Sequence, residues 1–235
     1  MDYPYRSPKT LSYLAMAGIA IQGLCRVIQI FIGLATIYLP KSITLDTGET
    51  TSAWSLAYGL VMAVWLPAYI FTGVVFLMWI FRVYKNMPSL STDGLEFTPG
   101  WAVGWWFVPF ANLVKPFQVV RDAWVANDPD LPEDSLSFTA VKGGAPLYMG
   151  AWWGMWIAGN LVSNFTSGFV NNESADIATT GVFLIGEGVF WLLGTMLAIK
   201  VVRDISERQE LRSQAVRTRV INEPPPPPVF AGNYE

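Results

Sequence analysis

Apolar residues fall in long runs along this chain, broken by short polar stretches, and the lengths of the runs set the architecture. A helix needs about 20 mostly apolar residues to cross the hydrocarbon core of a bilayer. Four runs reach that length, at about 11–39, 54–81, 146–169 and 179–202. They predict an all-α membrane protein with four transmembrane helices. A fifth run, Trp101–Val114, reads WAVGWWFVPFANLV and has about 14 residues, too short for a span. Pro109 and Pro116 each remove a backbone donor and bend any helix they enter. From Leu113 onward the pattern turns amphipathic, with Leu113, Phe117, Val120 and Trp124 on one face and Lys115, Gln118, Arg121 and Asp122 elsewhere. Residues 99–127 therefore read as a re-entrant or interfacial segment, a broken tilted entry followed by a helix along the cytoplasmic surface.

The organisation is then a transmembrane domain over 1–202, a charged cytoplasmic helix over 203–223 and a proline-rich disordered tail over 224–235. Pro224–Pro228 form a stiff polyproline II rod that could dock an aromatic groove on a partner. The first apolar run is about twice the length of a signal-peptide core and contains Arg26, so it is expected to be retained.

Charge orients the helices. With four spans and the N-terminus inside, the cytoplasm receives Arg6, Lys9, Arg82, Lys85, Lys115, Arg121, Lys142 and the basic C-terminal segment. The outer loops hold only Lys41 among basic residues. A fifth span would place Arg203, Arg208, Arg212, Arg217 and Arg219 outside, against the positive-inside rule.

Composition narrows the chemistry. Hydrophobic residues make up 52% of the 235, charged residues 14%, and there are 11 tryptophans, a residue that favours the membrane boundary. Histidine is absent, which removes Ser-His-Asp and Cys-His catalysis, HExxH zinc sites and histidine-ligated haem. Cys25 stands alone, and the net charge of −3 gives nucleic acid no basic footprint. The acidic run Asp128, Asp130, Glu133 and Asp134 lacks EF-hand spacing and reads as a solvated loop. No catalytic residue, metal site or cofactor is expected, and the chain reads as no enzyme.

The candidate site lies inside the membrane. Gln22, Arg26 and Gln29 share a stripe of the first span, extended by Gly18 and Gly33. A charge at mid-membrane costs at least about 2.5–3.5 kcal/mol on insertion scales and needs a partner. Glu187, in the last span, is the expected partner at similar depth. Asn160, Ser163 and Asn164 form a polar face on the third span. Gln22, Arg26, Gln29, Asn160 and Glu187 are thus expected to form one polar network. It serves either as an ion pair that fixes helix register or as an ion- or proton-coupled site.

A second set of residues carries a family resemblance. Trp79-x-x-Arg82-x-x-x-Asn86, then Pro99-Gly100-Trp101-Ala-Val-Gly104-Trp105-Trp106, then Pro109-x-x-Asn112-Leu-x-x-Pro116, resembles the bacterial membrane family called domain of unknown function 4328. The charged DISERQELR after the last span is similar to that family's C-terminal segment. The resemblance implies a multi-pass bacterial membrane protein and supplies no catalytic residues. Read physically, Trp79, Arg82 and Asn86 form one helical stripe, Pro99 and Gly100 break the chain, and Gly104 permits close approach. Asn112, between two prolines, could satisfy freed backbone groups. Arg82, Asn86 and Asn112 are expected to pin the re-entrant segment against the second and third spans.

These features predict a non-enzymatic accessory or scaffold protein of a bacterial inner membrane. Its partners would be the lipid bilayer and a protein bound through the C-terminal helix or proline tail. The alternative is a small transporter or channel using the Arg26–Glu187 layer, which with four helices implies an oligomer.

Overall fold

The computed structural model describes residues 4–39, 42–44, 50–90, 95–130, 144–170 and 176–222. The proline tail, Glu133 and Asp134 lie outside them. Helix α1 (Lys9–Tyr38) is followed by a two-stranded antiparallel hairpin, β1 (Ser42–Thr44) and β2 (Thr50–Ser52), with Ile43 opposite Thr51. The hairpin was not expected from the apolar pattern, because it lies in a polar loop; its hydroxyl and β-branched residues suit a strand. Helix α2 (Ala53–Asn86) runs into a 3-10 turn at Met87–Leu90. Short α3 (Pro99–Gly104), a 3-10 turn at Ala111–Leu113 and α4 (Lys115–Ala126) follow. Two long helices complete the described chain, α5 (Leu147–Val170) and α6 (Ile177–Asn222).

Three helices are long and apolar enough to cross a membrane: Lys9–Tyr38, Ala53–Leu90 and the stretch Ala178–Arg219 of α6. Helix α5, with 24 residues, is long enough. Its Trp152, Trp153, Trp156, Asn160 and Asn164 dilute its apolar character.

At 46 residues, α6 rises about 70 Å, more than twice the hydrocarbon thickness. No break falls at residue 202. Val201, Val202 and Ile205 are buried in the same core as Trp79, Ile80, Val83 and Tyr84 of α2, Val119 and Ala123 of α4, and Met149 of α5. The charged half of α6 is therefore packed into the fold.

Helix α1 packs along both α6 and α2, and α5 packs along α6. The order is α2–α1–α6–α5, an open arc. Helices α2 and α5 share no extended packing; Phe76 and Trp152 meet there at 6.4 Å. Glycine brings α1 against α6: a Cβ on Gly33 would stand 2.8 Å from the Gly181 carbonyl, and one on Gly188 3.2 Å from the Arg26 carbonyl. Gly18, on the same stripe of α1, faces Thr72 of α2 instead.

The buried face of α4 differs from the expected one. It consists of Pro116, Val119, Val120, Asp122, Ala123, Val125 and Ala126, while Leu113 is 49% exposed. Small residues let α4 approach the end of α2, where the Tyr84 hydroxyl donates to the Val119 carbonyl at 2.9 Å. Phe117 and Trp124 are left half-buried.

That rotation buries Asp122, which is 1% exposed. Its Oδ1 accepts from Arg121 Nε and Nη2 at 3.0 and 2.9 Å, and its Oδ2 has no partner among the described residues. Burial pushes the Asp122 carboxyl up from its ordinary range, against the opposing pull of Arg121. A carboxyl raised in the folded state supports the fold in acid, and that support is lost as pH rises through the folded value. Asp122→Asn is expected to raise the unfolding midpoint at pH 7. The gain should vanish as pH falls to the unfolded carboxyl range near about 3.9. Thermal unfolding at a series of pH values checks this; a uniform loss at every pH would refute it.

Candidate functional site

Arg26 of α1 and Glu187 of α6 face one another, 8% and 7% exposed, with Arg26 Nη1 3.5 Å from Glu187 Oε1. Nη1 also donates to Gln29 Oε1 at 2.7 Å. Gln29 Nε2 in turn donates to Glu187 Oε2 at 3.4 Å and to the Leu184 carbonyl at 3.3 Å. From α5, the Ser163 hydroxyl donates to Glu187 Oε1 at 2.7 Å, and Trp191 Nε1 donates to Ser163 Oγ at 2.9 Å. The guanidinium lies over two indoles, 5.3 Å from the Trp65 ring and 5.6 Å from the Trp191 ring. A cation desolvated against aromatic faces gains about 2 kcal/mol from such contacts. Nε and Nη2 of Arg26 have no hydrogen-bond acceptor among the described residues.

Beside this layer, in the gap between α2 and α5, lies a cavity of about 490 Å³. Trp65, Tyr69 and Phe76 of α2, Trp152 and Trp156 of α5 and Trp191 of α6 form its walls. Trp106, Phe107 and Asn112, from the connection between α3 and α4, also border it. Arg26, Gln22, Asn160 and Ser163 are its polar groups on the long helices, with Thr72 and Thr195. Trp106 Nε1 and Asn112 Oδ1 have no partner among the described residues.

The structure brings Arg26, Gln29 and Glu187 into one network. Gln22 and Asn160 line the cavity without joining it, and Asn160 Nδ2 bonds the Trp156 carbonyl of its own helix. Trp65 and Trp191 were missed, because tryptophan was read as a boundary residue. The usable signal was a charge in an apolar run, which favours π faces as well as a counter-ion.

The motif residues form a separate cap. Trp79 Nε1 donates to Ser206 Oγ at 2.9 Å. Asn86 Nδ2 donates to Gln209 Oε1 at 2.9 Å and to the Arg6 carbonyl at 2.7 Å, and Asn86 Oδ1 accepts from the Arg6 amide at 3.1 Å. Tyr5, Ser7 and Lys9 all engage Glu210 of α6. Asn86 thus ties the N-terminal arm to α6, and the half-buried Arg82 guanidinium joins neither. Aromatic contacts hold the 99–127 segment instead. Trp106 packs edge-on against Phe76 at 5.2 Å and Trp153 at 5.8 Å, and Trp153 Nε1 donates to the Leu113 carbonyl at 2.9 Å.

The remaining motif residues shape the entry. Thr98 caps α3 by accepting from the Trp101 amide at 3.3 Å, with Pro99 in the first turn. Trp101 packs on Trp105 at 4.7 Å. A Cβ on Gly104 would meet the Trp101 ring at 3.1 Å, whereas Gly100 has open space. Pro109 precedes Phe110, whose φ of 61° is the one positive value at a non-glycine residue among those described. Pro116 opens α4.

The family model described as Domain of unknown function (DUF4328) matches residues 43–207. The chain belongs to this family. The DUF4328 match contains Glu187, most of the cavity walls and the motif residues from Trp79 to Pro116. Gln22, Arg26 and Gln29 lie in α1, before it. The central ion pair therefore joins the DUF4328 segment to a helix the match does not include. No curated protein and no solved structure matches the chain.

Proposed function

We propose that this protein is a non-enzymatic accessory protein of a bacterial inner membrane that holds a membrane-dissolved lipophile in the cavity between α2 and α5. Helices α1, α2, α5 and the apolar part of α6 cross the bilayer, with both ends of the chain in the cytoplasm. The basic residues of the cap support that orientation. The connection at Phe107–Val114 dips into the cytoplasmic leaflet. Phe107, Phe110, Leu113 and Val114 are 71%, 88%, 49% and 54% exposed, apolar surface that water disfavours and lipid accepts. The observation that carries the reading is the aromatic cavity itself. Ligand sites are concave and mostly apolar, with a few convergent polar groups, and volumes of about 300–1,000 Å³ are typical.

Gly73 gives a direct test. It borders the cavity, and a Cβ there would meet nothing within 4 Å. Gly73→Phe should obstruct the cavity and leave the fold intact. Native mass spectrometry of protein extracted in mild detergent should find a lipophile bound to the wild type and lost from Gly73→Phe. Equal retention, or no bound lipophile in either protein, would refute the reading.

One observation favours transport as a second reading. Glu187 also borders a more open groove between α5 and α6, lined by Leu161, Phe165, Val182 and Phe183. The ion pair then separates this groove from the aromatic cavity. A carrier of this kind would lose flux in liposomes on Glu187→Gln, whereas a binding protein has no flux to lose.

A further inference from the structure

We infer that the cavity selects a neutral lipophile carrying a flat conjugated ring with carbonyl oxygens, a quinone-type molecule. The inference rests on the cavity-binding reading above and goes beyond it in naming the ligand's chemistry.

Charge decides first. A cationic ligand would seek aromatic faces, but Arg26 already occupies those of Trp65 and Trp191 and would repel it. A full anion gains little net attraction, because Glu187, behind the cavity wall, stands 3.5 Å from Arg26 and already balances its charge. What remains unused is hydrogen-bonding capacity. Nε and Nη2 of Arg26, a residue that lines the cavity, have no acceptor among the described residues. Donors facing an apolar cavity are poorly solvated, and a neutral oxygen acceptor satisfies them without introducing charge. Carbonyl oxygens fit that requirement, and a saturated chain offers none along its length.

Shape decides next. Wall surfaces come from indoles on three helices and from Trp106, planes that gain most from another π system in offset or edge-on contact. The incomplete α2–α5 seam, with exposed Phe107 at the border of the cavity, gives a flat molecule a sideways route from the bilayer. The inference concerns binding alone and involves no electron transfer.

The test uses the full chain in nanodiscs of a single phosphatidylcholine. Equilibrium binding of a naphthoquinone with a short prenyl tail is measured, with palmitate and tetraphenylphosphonium as separately assayed competitors. One naphthoquinone should bind per chain. Gly73→Phe should abolish binding. Arg26→Lys, which keeps the charge and loses the planar fork, should weaken it about tenfold or more. Should Arg26→Lys fail to fold, Trp65→Leu replaces it and should likewise weaken naphthoquinone binding. Neither competitor should displace the quinone. If palmitate binds and is lost in Gly73→Phe while naphthoquinone does not bind, the ring-and-carbonyl inference fails and the cavity reading stands. Naphthoquinone binding that the Arg26 or Trp65 change leaves untouched also overturns the inference. No ligand sensitive to Gly73→Phe would overturn both.

Discussion

Glu187→Ala should destabilise the protein by about 3–5 kcal/mol, the usual cost of leaving one partner of a buried ion pair alone. Arg26 would keep its charge without a counter-ion beside a largely apolar cavity. Ser163 and Gln29 would lose their acceptor at the same time. Arg26→Ala should cost less. The carboxyl left behind keeps hydrogen bonds from Ser163 and Gln29, which partly replace the lost cation. The double variant should be no worse than Glu187→Ala alone, since it removes both charges together. Denaturant unfolding in mild detergent, run on all four proteins, measures the coupling. Fully additive losses would mean that the pair contributes nothing as a pair.

The second large effect belongs to the cap. Gln209 is completely buried and joins three elements. Its Nε2 donates to the Val83 carbonyl at 3.0 Å and to Asn127 Oδ1 at 2.9 Å, and its Oε1 accepts from Asn86. Gln209→Leu would leave the Asn127 amide oxygen and one Asn86 amide N–H without these partners in a dry site. Each orphaned group costs about 1–3 kcal/mol, so a loss of about 2 kcal/mol or more is expected. The end of α6 should also loosen, because Arg212 beside it bonds the Leu90 and Asp128 carbonyls at 3.0 and 2.7 Å. Limited trypsin digestion should then cut the variant near Arg208 and Arg212 while sparing the wild type. Arg82→Ala, at the half-buried position of the same motif, should change stability by well under 1 kcal/mol, as surface substitutions usually do. A larger loss there than at Gln209 would refute this account of the cap.

The two networks differ in how far they could be read in advance. Arg26 and Glu187 announce themselves, because a charge inside an apolar run has few affordable outcomes and pairing is foremost among them. Antiparallel helices of known length then set the depth at which they meet. Gln209, Ser206 and Arg212 carry no such signal. They sit in a charged, polar stretch that reads as a solvated helix, and only the return of α2, α4 and the N-terminal arm to that surface buries them. For Asn86 the stripe was visible, and its partners were not, since they come from residues 6 and 209.

The sequence by itself determined the helical, membrane-compatible character of the chain, the family to which it belongs, the break at 99–116 and the central ion pair. Each follows from local constraints: run length against bilayer thickness, proline against helix, charge against lipid. The tertiary structure alone decided that α2 and α5 fail to close against one another. It also decided which face of α4 is buried and which indoles flank Arg26. Those outcomes depend on how whole helices pack, and close glycine contacts between α1 and α6 set the arc that leaves the cavity open. A cavity is the space that side chains from distant segments leave unfilled, so no single stretch of sequence records it.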